Sequence, residues 1–112
     1  MDMNKYNNKR TTIDGITFDS KKEAYRWSEL KLMEKAGVIS DLQRQVPFEL
    51  QPAFYHNGKK ERAIVYKADF TYYQNGEYII EDVKSQITKN EKVYKLKKKM
   101  MAYRGYNIKE VE

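Results

Sequence analysis

Hydrophobic and polar positions recur with different periods along the chain, and the first two periods predict a hairpin and a helix. Residues 11–18 hold an Asp-Gly dipeptide between β-forming residues, which is typical of a hairpin with a type I′ turn. Ser20 and Glu23 have the S-x-x-E spacing of a capping box, and Gly37 follows the last periodic residue. We therefore predict a helix over 20–36 directly after the hairpin.

The predicted helix is apolar on two sides. At about 100° per residue, Glu23, Trp27 and Leu30 fall on one face. A second stripe lies on nearly the opposite face and comprises Tyr25, Leu32 and Ala36. We expect such a helix to be well buried, with the carboxylate of Glu23 on the stripe of the single tryptophan.

Three strand patterns follow the helix. Residues 45–50 alternate in polarity, and Pro47 among them favours an edge position in a sheet or the start of a strand. Residues 62–73 and 77–84 are rich in β-branched and aromatic side chains. The Asn-Gly dipeptide at 75–76 lies between these two runs and predicts a hairpin with a two-residue loop.

The last part of the chain predicts a helix and a short strand. Residues 88–91 repeat the capping-box spacing and open a helix that ends near Gly105, and residues 106–111 form the final strand. The order of helix, three strands, helix and strand predicts an α+β fold. Because the last strand returns after a helix, we expect it to pair in parallel through a right-handed crossover.

The length of the chain limits the number of domains, and its net charge limits the class of binding partner. A chain of 112 residues suffices for one domain, and we expect residues 1–12 to be a flexible basic arm and residues 13–112 to be that domain. The net charge of +6 favours nucleic acid as partner, although a merely basic soluble protein is the alternative. Lys5, Lys9 and Arg10 of the arm are candidate phosphate contacts; an uninvolved arm is the other interpretation.

Several kinds of site are excluded by the residue counts. The chain has no cysteine, which excludes disulfides, Cys-based zinc sites and thiol nucleophiles. Its single histidine, His56, lies in a predicted exposed turn, which argues against a Ser-His-Asp arrangement or a histidine metal site. The sequence contains neither a signal peptide nor a long apolar run, so we expect a soluble, cytoplasmic protein with no membrane partner.

The predicted hairpin loop fixes which residues of its two strands face each other. Counting outward from Asn-Gly, one face of the sheet carries four opposed pairs: Tyr73 and Tyr78, Thr71 and Ile80, Asp69 and Asp82, Lys67 and Lys84. The other face is the predicted core face and carries Ile64, Tyr66, Ala68, Phe70, Ile79 and Val83. Glu81 also falls on that core face, where the pattern gives it no role.

The opposed aspartates need compensation because directly facing carboxylates repel. A lysine, a shared proton or a divalent cation such as Mg²⁺ would supply it. Lys84 lies on the same face as Asp82, and two acids with a lysine are the components of metal-assisted phosphodiester hydrolysis. The alternative is a solvated hairpin face whose ion pairs contribute little.

These residues resemble a known superfamily. Ala68-Asp69, twelve intervening residues and Asp82-Val83-Lys84 resemble the PD-(D/E)XK nuclease signature. The segments at 5–9 and 18–24 are similar to a phage-encoded family of small PD-(D/E)XK-like proteins, and this resemblance covers nearly the whole chain. It implies a restriction-endonuclease-like αβββαβ core, a mixed four-stranded sheet flanked by helices.

The resemblance also implies site residues. Asp69, Asp82 and Glu23 would hold Mg²⁺, for which Mn²⁺ would substitute, and Lys84 would complete the catalytic set. The chain departs from the signature at Ala68, where proline is usual. Glu81 would replace Asp82 as ligand if a bulge shifted the strand, and Glu23 has a purely structural alternative as the third residue of a capping box.

A nuclease of this size has no room for a separate base-reading module, so structure-selective cleavage is expected. The resemblance to small junction-cleaving members implies a homodimeric endonuclease that resolves Holliday junctions or other branched DNA in phage replication or packaging. Further DNA contacts are expected from Lys67, Lys89 and Lys92. The alternatives are a nicking or end-processing nuclease, and a basic nucleic-acid- or protein-binding module that does not cleave.

Overall fold

The computed structural model describes residues 9–85, 89 and 91–112. This part of the chain forms two helices, α1 (Lys21–Lys35) and α2 (Lys92–Tyr103). Its strands are β1 (Thr11–Ile13), β2 (Ile16–Phe18), β3 (Ser40–Gln51), β4 (Phe54–His56), β5 (Lys59–Glu61), β6 (Ile64–Gln74), β7 (Glu77–Val83) and β8 (Ile108–Val111).

The main sheet has four strands in the order β3-β6-β7-β8. β3 and β7 are antiparallel to β6, whereas β8 is parallel to β7. The predicted α+β class with a mixed four-stranded sheet is confirmed, as are the parallel return of the last strand and the edge position of Pro47. β1 pairs with β2, and β4 with β5, in two further ribbons of two strands each.

The predicted turns and caps account for the local structure. Asn75 and Gly76 have φ of 53° and 79°, and β6 pairs with β7 in the predicted register, with Tyr73 opposite Tyr78. The Ser20 hydroxyl accepts from the Glu23 N–H at 3.1 Å, and it caps α1 where the sequence predicted. Short-range sequence signals therefore set the ends of α1 and the hairpin between β6 and β7.

The core is divided between the two faces of the sheet. Phe70 and Tyr72 of β6 pack with α1, in a cluster that also holds Phe18, Ala24, Trp27, Leu30 and Ile39. Tyr66 and Ala68 of the same strand pack in the second cluster, with Leu50, Ile80, Tyr94 and Met101. The prediction of one core face is wrong, because side-chain alternation along β6 breaks between Ala68 and Phe70.

The second apolar stripe of α1 is not buried. Tyr25 and Leu32 are 58% and 69% exposed, whereas Trp27 and Leu30 on the other side belong to the core. The expectation of a helix buried on both sides is wrong, because the sheet covers only one face of α1 and the outer face borders solvent. α1 is thus a surface helix that seals one side of the sheet.

Two sequence predictions concern residues that lie partly outside the described ranges. Residues 1–8, including Lys5, lie outside them, and β1 begins at Thr11, so the folded part starts before the predicted boundary at residue 13. The predicted helix start at Thr88 also lies outside them; α2 begins at Lys92 with Glu91 as its N-cap residue. No helix among the described residues is long and apolar enough to cross a membrane.

Candidate active site

Asp69 and Asp82 lie side by side where the β6–β7 ladder ends. The paired register ends at Phe70 opposite Glu81. Beyond it, the Asp69 N–H donates to Asp82 Oδ1 at 3.2 Å, and the Val83 N–H donates to Asp69 Oδ2 at 2.8 Å. Each carboxylate thus takes the place of a backbone acceptor on the opposite strand, which brings the two acids together as predicted.

Asp82 is held from two further sides. The Tyr66 hydroxyl donates to Asp82 Oδ2 at 2.5 Å, and Lys84 Nζ lies 3.8 Å from the same oxygen. The Lys84 ammonium also lies 4.7 Å from the ring centroid of Tyr94, within range of a cation–π contact. Asp82 is only 1% exposed, so its charge depends on these partners rather than on water.

α2 supplies the tyrosine that lies beside Lys84. Tyr94 is the buried tyrosine of that helix, and its hydroxyl donates to Glu110 Oε2 at 2.6 Å. Glu110 in turn lies 3.2 Å from Lys98 Nζ. This chain of contacts fixes the tyrosine ring against which the Lys84 ammonium rests.

Burial and like charge act together on the two aspartates. Desolvation, followed by the charges of Asp82 and Glu23, raises the pKa of Asp69 far above its ordinary value. Burial and the neighbouring Asp82 also raise the pKa of Tyr66, so its hydroxyl remains a donor. Asp69 therefore favours its protonated form beside the Asp82 carboxylate.

Glu23 lies at the start of α1 and serves the cap and the site at once. Its N–H caps the helix on Ser20, while its carboxylate accepts from Gln45 Nε2 at 3.2 Å. Burial, then Asp19, raises the pKa of Glu23; Arg44 opposes the rise and Asp82 adds to it. The capping role and the proximity to the aspartates are therefore compatible, because they use different atoms of Glu23.

Gln45 and Arg44 of β3 are site neighbours that the sequence did not indicate. Gln45 has a φ of 55° and falls opposite Asp69, between the pairs that Arg44 and Val46 make with β6. A left-handed glutamine has no signal in residue type or spacing. Arg44 Nε is one of two buried side-chain nitrogens in the described residues that have no hydrogen-bond partner.

Glu81 is fully engaged on the opposite face of the sheet. Arg26 donates to it through Nε at 2.5 Å and through Nη2 at 3.0 Å. The Tyr72 hydroxyl donates to Glu81 Oε2 at 2.5 Å. The alternative in which Glu81 replaces Asp82 as ligand is wrong, because no bulge shifts β7 and Glu81 holds α1 against the sheet.

The predicted DNA contacts are placed unevenly. Lys9 and Arg10 are exposed where the described chain starts, and Lys92 is exposed in the first turn of α2. Lys89 Nζ lies 3.5 Å from Glu112. Lys67 is exposed but does not face Lys84 as predicted, because its neighbour in β6, Tyr66, turns toward Asp82 and alternation sends Lys67 the other way.

The donor set fits a hard cation held by two carboxylates. Mg²⁺ is commonly bound by one or two carboxylates together with water and substrate phosphate, and Asp69 and Asp82 supply that number. In the part of the chain that the structure describes, no three acidic or histidine side chains form a ready metal group. The charge of Glu23 raises the pKa of Asp69, and its assignment as a third metal ligand stays a prediction.

Comparison with known proteins identifies the family to which this chain belongs. No curated protein and no solved structure matches the chain. The family model described as Protein of unknown function (DUF1064) matches residues 3–111, almost the full sequence. That description names no activity, so the geometry around Asp69 and Asp82 is the basis for any chemistry. The chain belongs to the DUF1064 family.

Proposed function

We propose that this protein is a Mg²⁺-dependent, structure-selective DNA endonuclease. One observation carries the proposal: Asp69, Asp82 and Lys84 meet at the open end of the β6–β7 ladder. Two carboxylates and an ammonium in one cluster are components of metal-assisted phosphodiester hydrolysis. They are also held by buried partners, whereas an exposed pair would only be solvated.

Each residue has a defined task in this proposal. Asp69 and Asp82 would hold Mg²⁺, and Tyr66 keeps Asp82 Oδ2 in place through its hydroxyl. The chemistry that Mg²⁺ supplies when bound is activation of a water molecule and stabilisation of the leaving oxygen. Lys84 would hold the attacking water or neutralise charge that develops on the phosphate.

The proposed substrate is branched DNA, such as a Holliday junction, in phage replication or packaging. The net charge of +6 supports a polyanionic substrate, and a chain of 112 residues has little surface for reading a long base sequence. A homodimer would present two sites to the two strands of a four-way junction. The proposed location is the cytoplasm of the host cell, where such DNA occurs.

The decisive experiment compares cleavage by the wild type and by Asp82→Asn. Labelled four-way, forked and linear duplex DNA are incubated with each protein in Mg²⁺, Mn²⁺ or EDTA. We expect the wild type to cut branched DNA in either metal and Asp82→Asn to lose activity by at least a hundredfold, because a charged ligand is removed. DNA binding should remain, since it comes from basic side chains elsewhere.

Asp14→Asn is the matched control. It makes the same acid-to-amide change in the exposed β1–β2 turn, where φ is 52° and asparagine is well tolerated. Its cleavage rate should equal that of the wild type. Cleavage by Asp82→Asn at the wild-type rate would reject this site, and binding without cleavage by the wild type would favour the non-cleaving module.

A further inference from the structure

A two-stranded ribbon extends the chain between β3 and β6. β4 and β5 pair antiparallel, with Tyr55 opposite Lys60. Asn57 and Gly58 close the ribbon with φ of 52° and 74°, the left-handed pair of a type I′ turn. From here on, "the arm" means residues 52–62 and not the N-terminal residues 1–12. Its conformation is set by its own turn, and its position by the two long strands that lead into it.

The arm has little support from the rest of the fold. Within the described residues, β4 and β5 contact each other and make no extensive contact with another helix or strand. Its two large aromatic side chains are accordingly open to solvent: Tyr55 is 73% exposed and Phe54 is 43% exposed. The radius of gyration is 16.0 Å, against about 13 Å for a compact domain of 100 residues. Aromatic side chains on a projecting ribbon favour a partner that covers them.

The side chains of the arm match one kind of partner. Most of them are aromatic or basic: Phe54, Tyr55, His56, Lys59, Lys60 and Arg62. Because Tyr55 and Lys60 are directly opposed, they lie on the same face of the ribbon, about 5 Å apart at Cβ. An aromatic ring beside an ammonium fits a nucleic-acid base together with its phosphate. The single acid, Glu61, lies opposite Phe54.

The base of the arm is fixed relative to the candidate active site. Arg104, which follows α2, donates to the carbonyl oxygens of Glu49 and Leu50 near the end of β3. β6 runs about 17 Å from Asp69 back to Ile64 at roughly 3.3 Å per residue, and Lys60 of β5 lies four residues further along the chain. One helical turn of DNA is about 34 Å. The chain from Asp69 to Lys60 reaches at most about 30 Å, so the arm and the site lie within one such turn of each other.

We propose that the arm recognises unstacked bases in branched or single-stranded DNA, with the Tyr55 ring stacking on a base. Lys59, Lys60 and Arg62 contact the adjoining phosphates. Unpaired bases are preferred because a duplex keeps its bases stacked on each other and offers no free ring face. The inference deepens the proposed function by naming how the branch is recognised, but stacking on the arm does not require cleavage.

The test measures binding in EDTA, where cleavage does not interfere. The probes are fluorescent four-way junction, fork, single-stranded oligonucleotide and linear duplex. We expect Tyr55→Ala to lose about tenfold in affinity for the first three probes and less than twofold for duplex. Tyr55→Trp should restore binding because it keeps a stacking ring. Tyr103→Ala is the matched control, since Tyr103 is 93% exposed on α2 and lies outside the arm.

The outcomes distinguish a failure of the arm proposal from a failure of the proposed nuclease function. Unchanged junction affinity in Tyr55→Ala, or an equal loss on duplex, would overturn the proposal and leave the arm to another partner such as a protein. Tyr55-dependent binding by a wild type that does not cleave in Mg²⁺ would support the arm and reject the proposed function. Cleavage of junctions at equal rates by the wild type and Tyr55→Ala would support the nuclease and reject the arm.

Discussion

Asp69 and Asp82 lie together because each carboxylate accepts a backbone N–H from the opposite strand. Burial, the largest effect, and the neighbouring Asp82 raise the pKa of Asp69, whereas the hydrogen bond from the Val83 N–H lowers it. The protonated form of Asp69 is therefore favoured in the folded, metal-free protein. A divalent cation at the proposed site would replace that proton with greater charge, and its binding would then depend on pH.

The stability of the metal-free protein should fall as pH rises. The pKa of Asp69 is raised in the folded state, to about 8 from 3.8. A raised carboxyl pKa stabilises the fold fully below the unfolded-state pKa, and this contribution is lost as pH rises through the folded-state pKa. We therefore expect the melting temperature in EDTA to decline between about pH 4 and pH 8.

Asp69→Asn is the control for this effect, because it cannot take up or release the proton. Its melting temperature should change less across the same range than that of the wild type. Mg²⁺ should raise the melting temperature of the wild type more at pH 8 than at pH 5, since the proton no longer competes for the site. A wild-type melting temperature that rises with pH in EDTA would contradict the assignment.

At the scale of elements, the site forms where two elements depart from regular geometry. β6 switches the face of its side chains between Ala68 and Phe70, and Gln45 in the adjacent β3 adopts a left-handed conformation at the same level. The switch turns Tyr66 toward Asp82, while Phe70 remains under α1. A strictly alternating strand would have placed Tyr66 on the other side of the sheet from Asp82.

This departure also explains which features the sequence could predict. The Asn75-Gly76 turn and the Ser20 cap depend on neighbouring residues, so both were predicted together with the register that opposes Asp69 and Asp82. The face switch lies beside the left-handed Gln45 of another strand, and local sequence encodes neither feature. The partner of Glu81 was missed for a similar reason, because Arg26 lies far away in the chain.

Arg26→Ala should destabilise the fold without removing the active site. The change leaves the Glu81 carboxylate, which is 0% exposed, without its bidentate cation. Removing one partner of a buried pair typically costs about 3–5 kcal/mol, against about 1 kcal/mol or less for an exposed pair. Urea denaturation followed by circular dichroism measures this loss.

The double variant Arg26→Leu with Glu81→Met serves as the control. Because it removes both charges, it should recover most of the stability that Arg26→Ala loses. At a temperature where Arg26→Ala remains folded, its cleavage should stay within a few-fold of the wild type, unlike that of Asp82→Asn. A loss below 1 kcal/mol would show that the pair behaves as a solvated surface bridge.

At the scale of the whole molecule, three acidic side chains are withdrawn from solvent. Glu23, Glu81 and Asp82 are buried and bonded to named partners, whereas most lysines are exposed. The principal extents of 52 × 45 × 26 Å describe a flat molecule with the arm extending from one part of it. The net charge of +6 is therefore presented to solvent mainly by basic side chains, as a polyanionic partner requires.

DNA binding should weaken steeply as salt rises. Each neutralised phosphate releases condensed counterions, and log affinity falls with log salt with a slope of about −0.9 per contact. Four contacts correspond to a loss on the order of a hundredfold between about 50 and 200 mM salt.

Lys92→Ala should lower the magnitude of the slope by about one, because Lys92 is exposed at the start of α2. Lys31→Ala should leave it unchanged, because Lys31 contacts Glu34 and Trp27 on α1. Fluorescence anisotropy in EDTA gives these slopes, and a flat response would remove DNA as the partner.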